Sequence, residues 1–234
     1  MKLYMDESGN GQQSQPLIVG AVETGEDSEE IERRIQDLHR RVSARRSLSG
    51  LRSFDAFRKH GFHASTDPPE VSNLFLELMQ DLSFKAYVLV TDGTSVLAGS
   101  TEIDRLKFMY TSLLGDLLIR HRAEPELLCY IEQNDGMKQL VRNLPDSATR
   151  RAHEKLGRPT SLPRLNVVMV PKTEAMSMAI IDYVMIAVSR WIRSNYTTKP
   201  EDWSYRAFRI VEPFISILYS LERGLISSRK MPLH

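Results

Sequence analysis

The chain has almost no cysteine: Cys129 stands alone. That excludes a disulfide framework within one chain and a cysteine-built metal cluster, and it fits a reducing cytosol. Long uncharged apolar runs are missing too, so no segment reaches the roughly 20 residues that a spanning helix needs. No signal peptide precedes Asp6, and a cytoplasmic protein without membrane association is expected. Net charge is nearly absent, since 31 Lys and Arg stand against 30 Asp and Glu. The total therefore points to no polyanionic partner, although segregated charge still can. No internal repeat or low-complexity tract occurs, which leaves no sign of a solenoid. What remains is a 234-residue chain, 41% hydrophobic, with enough apolar side chains for a sizeable core in one domain.

Periodicity divides this chain into elements. Lys2-Leu3-Tyr4-Met5 reads as a strand that ends in two adjacent acids, Asp6 and Glu7, before the turn composition Ser8-Gly9-Asn10. Residues 16–22, "PLIVGAV", form a second apolar strand, giving a hairpin with Asp6 at its loop end. Residues 26–46 are charged and free of Gly and Pro, and read as a helix; "GFHAS" reads as a short strand. In "DPPEVSNLFLELMQDL" the sequence Asp67 before two prolines marks a helix start, with Val71, Leu74, Phe75 and Leu78 on one face. "FKAYVLVTDG" is a strand entering a turn. Beyond Thr101, the spacing of Ile103, Leu106, Tyr110, Leu113, Leu114, Leu117 and Leu118 predicts a helix. "LLCYIE" reads as a buried strand closing on Glu132, Pro145 predicts two short helices, and "RLNVVMV" is another strand. Residues 174–193 form a helix apolar on nearly every face, and a last helix is expected from about Tyr205 to Leu225. The order of elements defines an α/β fold, a mixed sheet flanked by helices.

Three acids occupy costly places. Asp182 is the only charge in "MAIIDYVMIAV", on a helix buried all round. An isolated buried carboxylate must be protonated, paired or bound to a cation, and Arg190 and Lys172 are the candidate partners. Glu132 ends an apolar strand at the edge where α/β sheets place ligands, and Asp6 ends the first strand likewise. The plainer reading is that an acid just past a strand forms a turn or caps a helix. Placed together, the three acids suggest one shared cavity. If they share it, removing the charge of Asp182 is expected to relieve repulsion and stabilise the metal-free fold.

The run of "YMDESGN", an apolar second strand, "FHAS", "YIE" and an apolar helix holding "IIDYV" resembles the bacterial domain-of-unknown-function family numbered 3800. The likeness extends from the start to about Trp191. Its most specific element is Asp6-Glu7-Ser8-Gly9, and His63 matches a recurrent histidine before a small residue. The helix departs from the pattern: Ala179 and Ile181 stand where the family usually has Gln and Ala. The resemblance implies a ribonuclease H-like domain over 1–234, with a basic helical insertion at about 26–60 and a C-terminal helical extension at about 200–234. It also implies a metal-dependent nuclease with acids on the first strand, a later strand and a closing helix. Asp6, Glu132 and Asp182 are then the catalytic residues and the ligands of one or two Mg²⁺ or Mn²⁺ ions, with Glu7, Ser8 and His63 as accessory residues. A role in bacterial defence against foreign nucleic acid follows by family analogy alone.

The chemistry is coherent with the residue types. Hard divalent cations take carboxylate oxygens, waters and substrate phosphate, and a pair of them can activate water and stabilise a leaving oxygen. A strand holds Asp6 rigidly, Glu7 points to the opposite face of that strand, and Gly9 lets the backbone turn close to substrate. Charge segregation adds a DNA or RNA partner: Arg40, Arg41, Arg45 and Arg46 crowd one stretch, and Lys138 and Arg142 follow Glu132. The plainer reading of both groups is a solvated helix face. His63 is a proton shuttle, a phosphate contact or a packed structural histidine. An aspartyl-nucleophile phosphatase is disfavoured because Ser8 stands where its second Asp belongs. The remaining alternative is a catalytically inactive nuclease-like module that binds nucleic acid or protein. A homodimer or a partner protein is left open.

Overall fold

A computed structural model describes residues 1–9, 11, 15–92, 94 and 97–231. Asn10 of the expected first turn and residues 232–234 of the expected C-terminal extension lie outside them. The expected hairpin forms from β1 (Lys2–Ser8) and β2 (Leu17–Glu23), antiparallel, with Asp6 opposite Gly20. All of β2 is buried, as a central strand of a sheet covered on both faces must be. It pairs antiparallel with β3 (Lys85–Thr91) on its other side. Parallel to β1 runs β4 (Glu126–Glu132), and parallel to β4 runs β5 (Arg164–Val170). At the far side β6 (Ile215–Ser220) joins β3 in parallel and β7 (Gly224–Ser228) closes the edge, giving the order β5-β4-β1-β2-β3-β6-β7.

Helices cover the two faces. On one, α4 (Glu102–Arg120) and α5 (Lys138–Leu156) pack Leu106, Leu113, Leu117, Leu140 and Leu144 onto Leu3, Met5, Val19, Leu127 and Ile131. On the other, α6 (Met178–Arg193) lies over β1 and β2. It is boxed in by α1 (Ser28–Ser43), α2 (Arg52–His60), α3 (Pro69–Gln80) and α7 (Trp203–Val211). This sandwiched position is why α6 is apolar nearly all round. A mixed sheet flanked by helices is the architecture expected of a ribonuclease H-like chain.

Several local expectations are corrected. "GFHAS" is a loop rather than a strand, begun by Gly61 at φ +83°. Pro145 does not divide α5, which runs unbroken through it. Its ring costs one backbone hydrogen bond, while the stripe Leu140, Val141, Leu144, Ala148 and Ala152 stays buried on the same face and outweighs that loss. The helix expected over 205–225 stops at Val211; Pro213 interrupts it, and "ISILYS" continues as β6, paired with β3. The C-terminal extension therefore adds one helix and two strands. The stretch expected as a basic insertion contributes α1, whose Ile31, Ile35, Leu38 and Val42 are part of the core.

Candidate active site

Three adjacent parallel strands bring the site to one edge of the sheet. Asp6 lies one residue beyond the last β1–β4 pair, Met5 with Ile131, and Glu132 is the corresponding residue of β4. Glu132 pairs in turn with Val170, the last residue of β5, and the backbone N–H of Gln133 donates to the Val170 carbonyl (3.0 Å). Lys172 follows two residues later, so strand register alone places Asp6, Glu132 and Lys172 side by side. They open onto a cleft of about 690 Å³, which Glu7, His63 and Asn134 also line. This is the carboxyl-end crevice where α/β sheets bind ligands.

The fourth residue comes from α6, and a missing side chain lets it approach. Gly20 sits opposite Asp6. A Cβ there would stand 2.7 Å from Ile181 Cγ1 and 3.2 Å from Met185 Cγ. Ile181, where the family pattern has Ala, thus fills the space over a glycine, and the next residue, Asp182, drops onto the cluster. Lys172 Nζ donates to Asp182 Oδ2 at 3.1 Å and lies 3.2 Å from Glu132 Oε2. The same Asp182 oxygen accepts from the backbone N–H of Ala64 (3.1 Å) and faces His63 Nδ1 at 3.0 Å.

Neighbouring bonds fix the two loops involved. Asp67 precedes the paired prolines where α3 begins, as expected, and its side chain accepts from the His63 backbone N–H (2.8 Å) and the Tyr183 hydroxyl (2.6 Å). The loop carrying His63 is therefore tied to α6 at consecutive residues, Asp182 and Tyr183. On the Lys172 side, Glu32 of α1 accepts from the backbone N–H groups of Met176 (2.9 Å) and Ser177 (2.8 Å) and from the Ser177 hydroxyl (2.6 Å). Met176 and Ser177 immediately precede α6, so Glu32 fixes the chain where the helix begins.

The acids are not equivalent. Burial pushes Asp6 well above the usual carboxylate range; Lys172 opposes this, and Asp182, Glu7 and Glu132 add to it. Among the described residues, the hydrogen bond to its carboxylate comes from the Glu7 backbone N–H alone (2.8 Å). Burial also raises Asp182, but the His63 hydrogen bond and the Lys172 charge outweigh it and hold Asp182 at about 2. Burial disfavours the ammonium of Lys172, yet Asp182, Asp6 and Glu132 together raise it above its ordinary value. His63 is raised, first by its hydrogen bond to Asp182.

Of the other expected accessory residues, Glu7 takes the Tyr110 hydroxyl from α4 on the opposite face while still lining the cleft. Burial raises its carboxyl, and Tyr110 counters that. Ser8 pairs with Ile18 in the ladder and is not among the cleft-lining residues. Gly9, at φ +90°, turns the chain back against Pro16, so its close approach is to the partner strand of its own hairpin. Arg40, Arg41, Arg45 and Arg46 are exposed at and beyond the end of α1, with Arg40 bound to Asp37 at 2.8 Å. Lys138 and Arg142 are exposed on the first turns of α5, and Lys138 pairs with the cleft residue Asp135 (2.8 Å). Cys129 is buried in the core, as its apolar strand implies.

Sequence reasoning named Lys172 only as one of two partners for Asp182; Arg190 instead lies over the Trp203 ring. The central position of Lys172 follows from the β4–β5 register, which no local pattern encodes. Among the described residues, no three His, Cys, Asp or Glu side chains stand in a metal-holding arrangement. The donor chemistry nevertheless fits a hard divalent cation. It consists of carboxylate oxygens, with Asp6, Glu7 and Glu132 lining one cleft.

Comparison with known proteins gives fold-level likenesses. A chain of the PCNA:RNase HII complex from Archaeoglobus fulgidus is 18% identical, with TM-score 0.44 over 88% of this chain and 85% of that chain. Ribonuclease H2 from Pyrococcus horikoshii OT3 is 14% identical, with TM-score 0.37 over 87% of this chain and 82% of that chain. No family model matches the sequence, and no curated protein does. Neither comparison supports the likeness to family 3800.

Proposed function

We propose that this chain is a divalent-metal-dependent hydrolase of nucleic-acid phosphodiester bonds. The observation that carries the reading is geometric: Glu132 and Asp182 meet at Lys172 (3.2 and 3.1 Å), and the buried Asp6 lines the same cleft as Glu132. Asp6, Glu132 and Asp182 would hold one or two Mg²⁺ or Mn²⁺ ions. Such an ion supplies Lewis-acid charge at a phosphoryl oxygen and a more acidic water. His63 contributes a proton-exchanging ring beside the cluster: Asp182 engages Nδ1 and fixes the ring, leaving Nε2 for proton exchange in the cleft. Glu7, held by the Tyr110 hydroxyl, would add negative charge to the cleft wall and favour cations there.

The substrate class rests on charge placement. Helix α2 runs from the arginine-rich end of α1 to His60, which lines the cleft; its nine residues span about 13 Å. The exposed Arg40, Arg41, Arg45, Arg46, Lys138 and Arg142 would neutralise the phosphates of a polymer longer than one nucleotide. DNA and RNA fit this arrangement equally.

One observation favours a second reading. The Lys172 ammonium already occupies the position between Glu132 and Asp182, as expected of a nuclease-like module that binds without cleaving. Thermal melting separates the two. For the hydrolase, millimolar Mn²⁺ or Mg²⁺ raises the Tm of the wild type and leaves that of Asp6→Asn unmoved, because a ligand of the folded state stabilises it. No rise in the wild type favours the binding module.

A further inference from the structure

Lys172 is a built-in feature of the site. It is only 7% exposed, and it sits in the turn between β5 and α6, where the Glu174 N–H donates to the Pro171 carbonyl (2.9 Å). Glu32 clamps the end of that turn through Met176 and Ser177. Among the described residues, no other lysine or arginine forms an ion pair with Asp6, Glu132 or Asp182. One ammonium therefore serves a cluster of three carboxylates. It reaches Glu132 and Asp182 at ion-pair distance, and among the described residues Asp6 forms no ion pair although it lines the same cleft. A single positive charge with three N–H donors cannot neutralise all three acids; a divalent cation brings twice the charge and takes several oxygens at once.

We propose that Lys172 is a tethered counter-ion that holds the carboxylate cluster in the metal-free protein and is displaced when a divalent cation binds. Lys172 is thus the residue that sets how tightly the site loads. The inference rests on the reading of Asp6, Glu132 and Asp182 as cation ligands. Tethering gives the ammonium a high effective concentration at the cluster, so an incoming cation must displace it as well as shed water. An opposite charge within a few ångströms shifts a carboxylate's proton affinity by about one to three decades, and the same interaction weighs on a competing metal ion. The lysine also satisfies Asp182 while the site lacks a metal, preventing an uncompensated charge beneath α6.

The test is calorimetric titration of Mn²⁺ into the wild type, Lys172→Met and Lys172→Gln, with circular dichroism confirming that each variant is folded. The expected result is that both variants bind Mn²⁺ about tenfold or more tightly than the wild type. Equal or weaker binding in both overturns the proposal and makes Lys172 a structural partner only, leaving the hydrolase reading intact if the wild type still binds. Absence of Mn²⁺ binding in wild type and variants alike overturns the metal reading itself, and this proposal with it. If the variants do not fold, amine-directed labelling of the wild type followed by peptide mass spectrometry decides. Mn²⁺ should increase modification of Lys172 several-fold relative to Lys85, and unchanged or decreased modification contradicts displacement.

Discussion

Lys172 donates to Asp182 across 3.1 Å, joining the turn after β5 to a helix buried against the sheet. This one bond reverses the expected ranking of the acids. Asp182, the most exceptional carboxylate in the sequence, is the best compensated, with Lys172, His63 and the Ala64 N–H all on one oxygen. Asp6, which reads locally as an ordinary strand-end acid, is the one that burial holds above the usual carboxylate range.

Asp182→Asn should therefore destabilise the metal-free protein, by about 3 kcal/mol, because it leaves the buried ammonium short of its partner. Asp6→Asn should stabilise it by removing the burial cost and the repulsion from Asp182, Glu7 and Glu132 that raise this carboxyl. Urea melts of both variants in the presence of a chelator test the pair. A stabilised Asp182→Asn would restore the view that repulsion among the acids dominates the site.

The approach of α6 to β2 predicts a packing reversal. Gly20→Ala forces a Cβ to within 2.7 Å of Ile181 Cγ1 and should cost roughly 1–3 kcal/mol. Ile181→Ala in the same chain should recover part of that loss, since the two substitutions share one space. Additive losses in the double variant would mean that α6 shifts freely and that its depth is set elsewhere.

At the opposite end of β2, Glu23 accepts from Tyr87 (2.6 Å) and Lys85 (2.7 Å) and lies 3.1 Å from His121 Nε2. Burial raises this carboxyl, but the His121, Lys85 and Tyr87 bonds prevail and lower it to about 2. A folded-state value below the unfolded one stabilises the fold above the ordinary carboxylate range. That contribution is lost as pH falls from about 4.5 towards 2. Glu23→Gln should cost roughly 1–3 kcal/mol at neutral pH and flatten the acid limb of the stability curve over that interval. An unaltered limb in chelator-treated protein would assign acid sensitivity to other groups.

The basic stretch predicts a salt-dependent effect. Reversing Arg41, Arg45 and Arg46 to Glu should weaken nucleic-acid binding and reduce the slope of log affinity against log salt by about 0.7–0.9 per lost phosphate contact. Arg40 should contribute less, being bound to Asp37. Fluorescence anisotropy across a salt series is the measurement; identical slopes would return this segment to a solvated helix face.

The sequence made the strands and the acids legible because both are local. "LLCYIE" and "RLNVVMV" are short apolar runs of strand length, the second rich in valine, and an acid closing an apolar run, as in "YMDE", shows without a partner in view. Lys172 and Glu32 were not legible in their roles. One acts through the β4–β5 register and the other by meeting α6 from a helix about 145 residues earlier. Pro145 misled because the rule for proline weighs one lost hydrogen bond, whereas the helix is held by a buried stripe on both sides of it. The C-terminal strands were hidden for a related reason: "FISILYS" is apolar enough for either period, and strand pairing with β3 decides between them.

The most direct measurement of the central claim is hydrolysis of labelled DNA and RNA by the wild type, Asp6→Asn and Asp182→Asn, each with Mg²⁺, with Mn²⁺ and with chelator. The account predicts cleavage by the wild type only with a divalent ion, reduced by orders of magnitude in both variants while nucleic-acid binding persists. Cleavage that survives chelation, or that proceeds equally in Asp6→Asn and wild type, would contradict it.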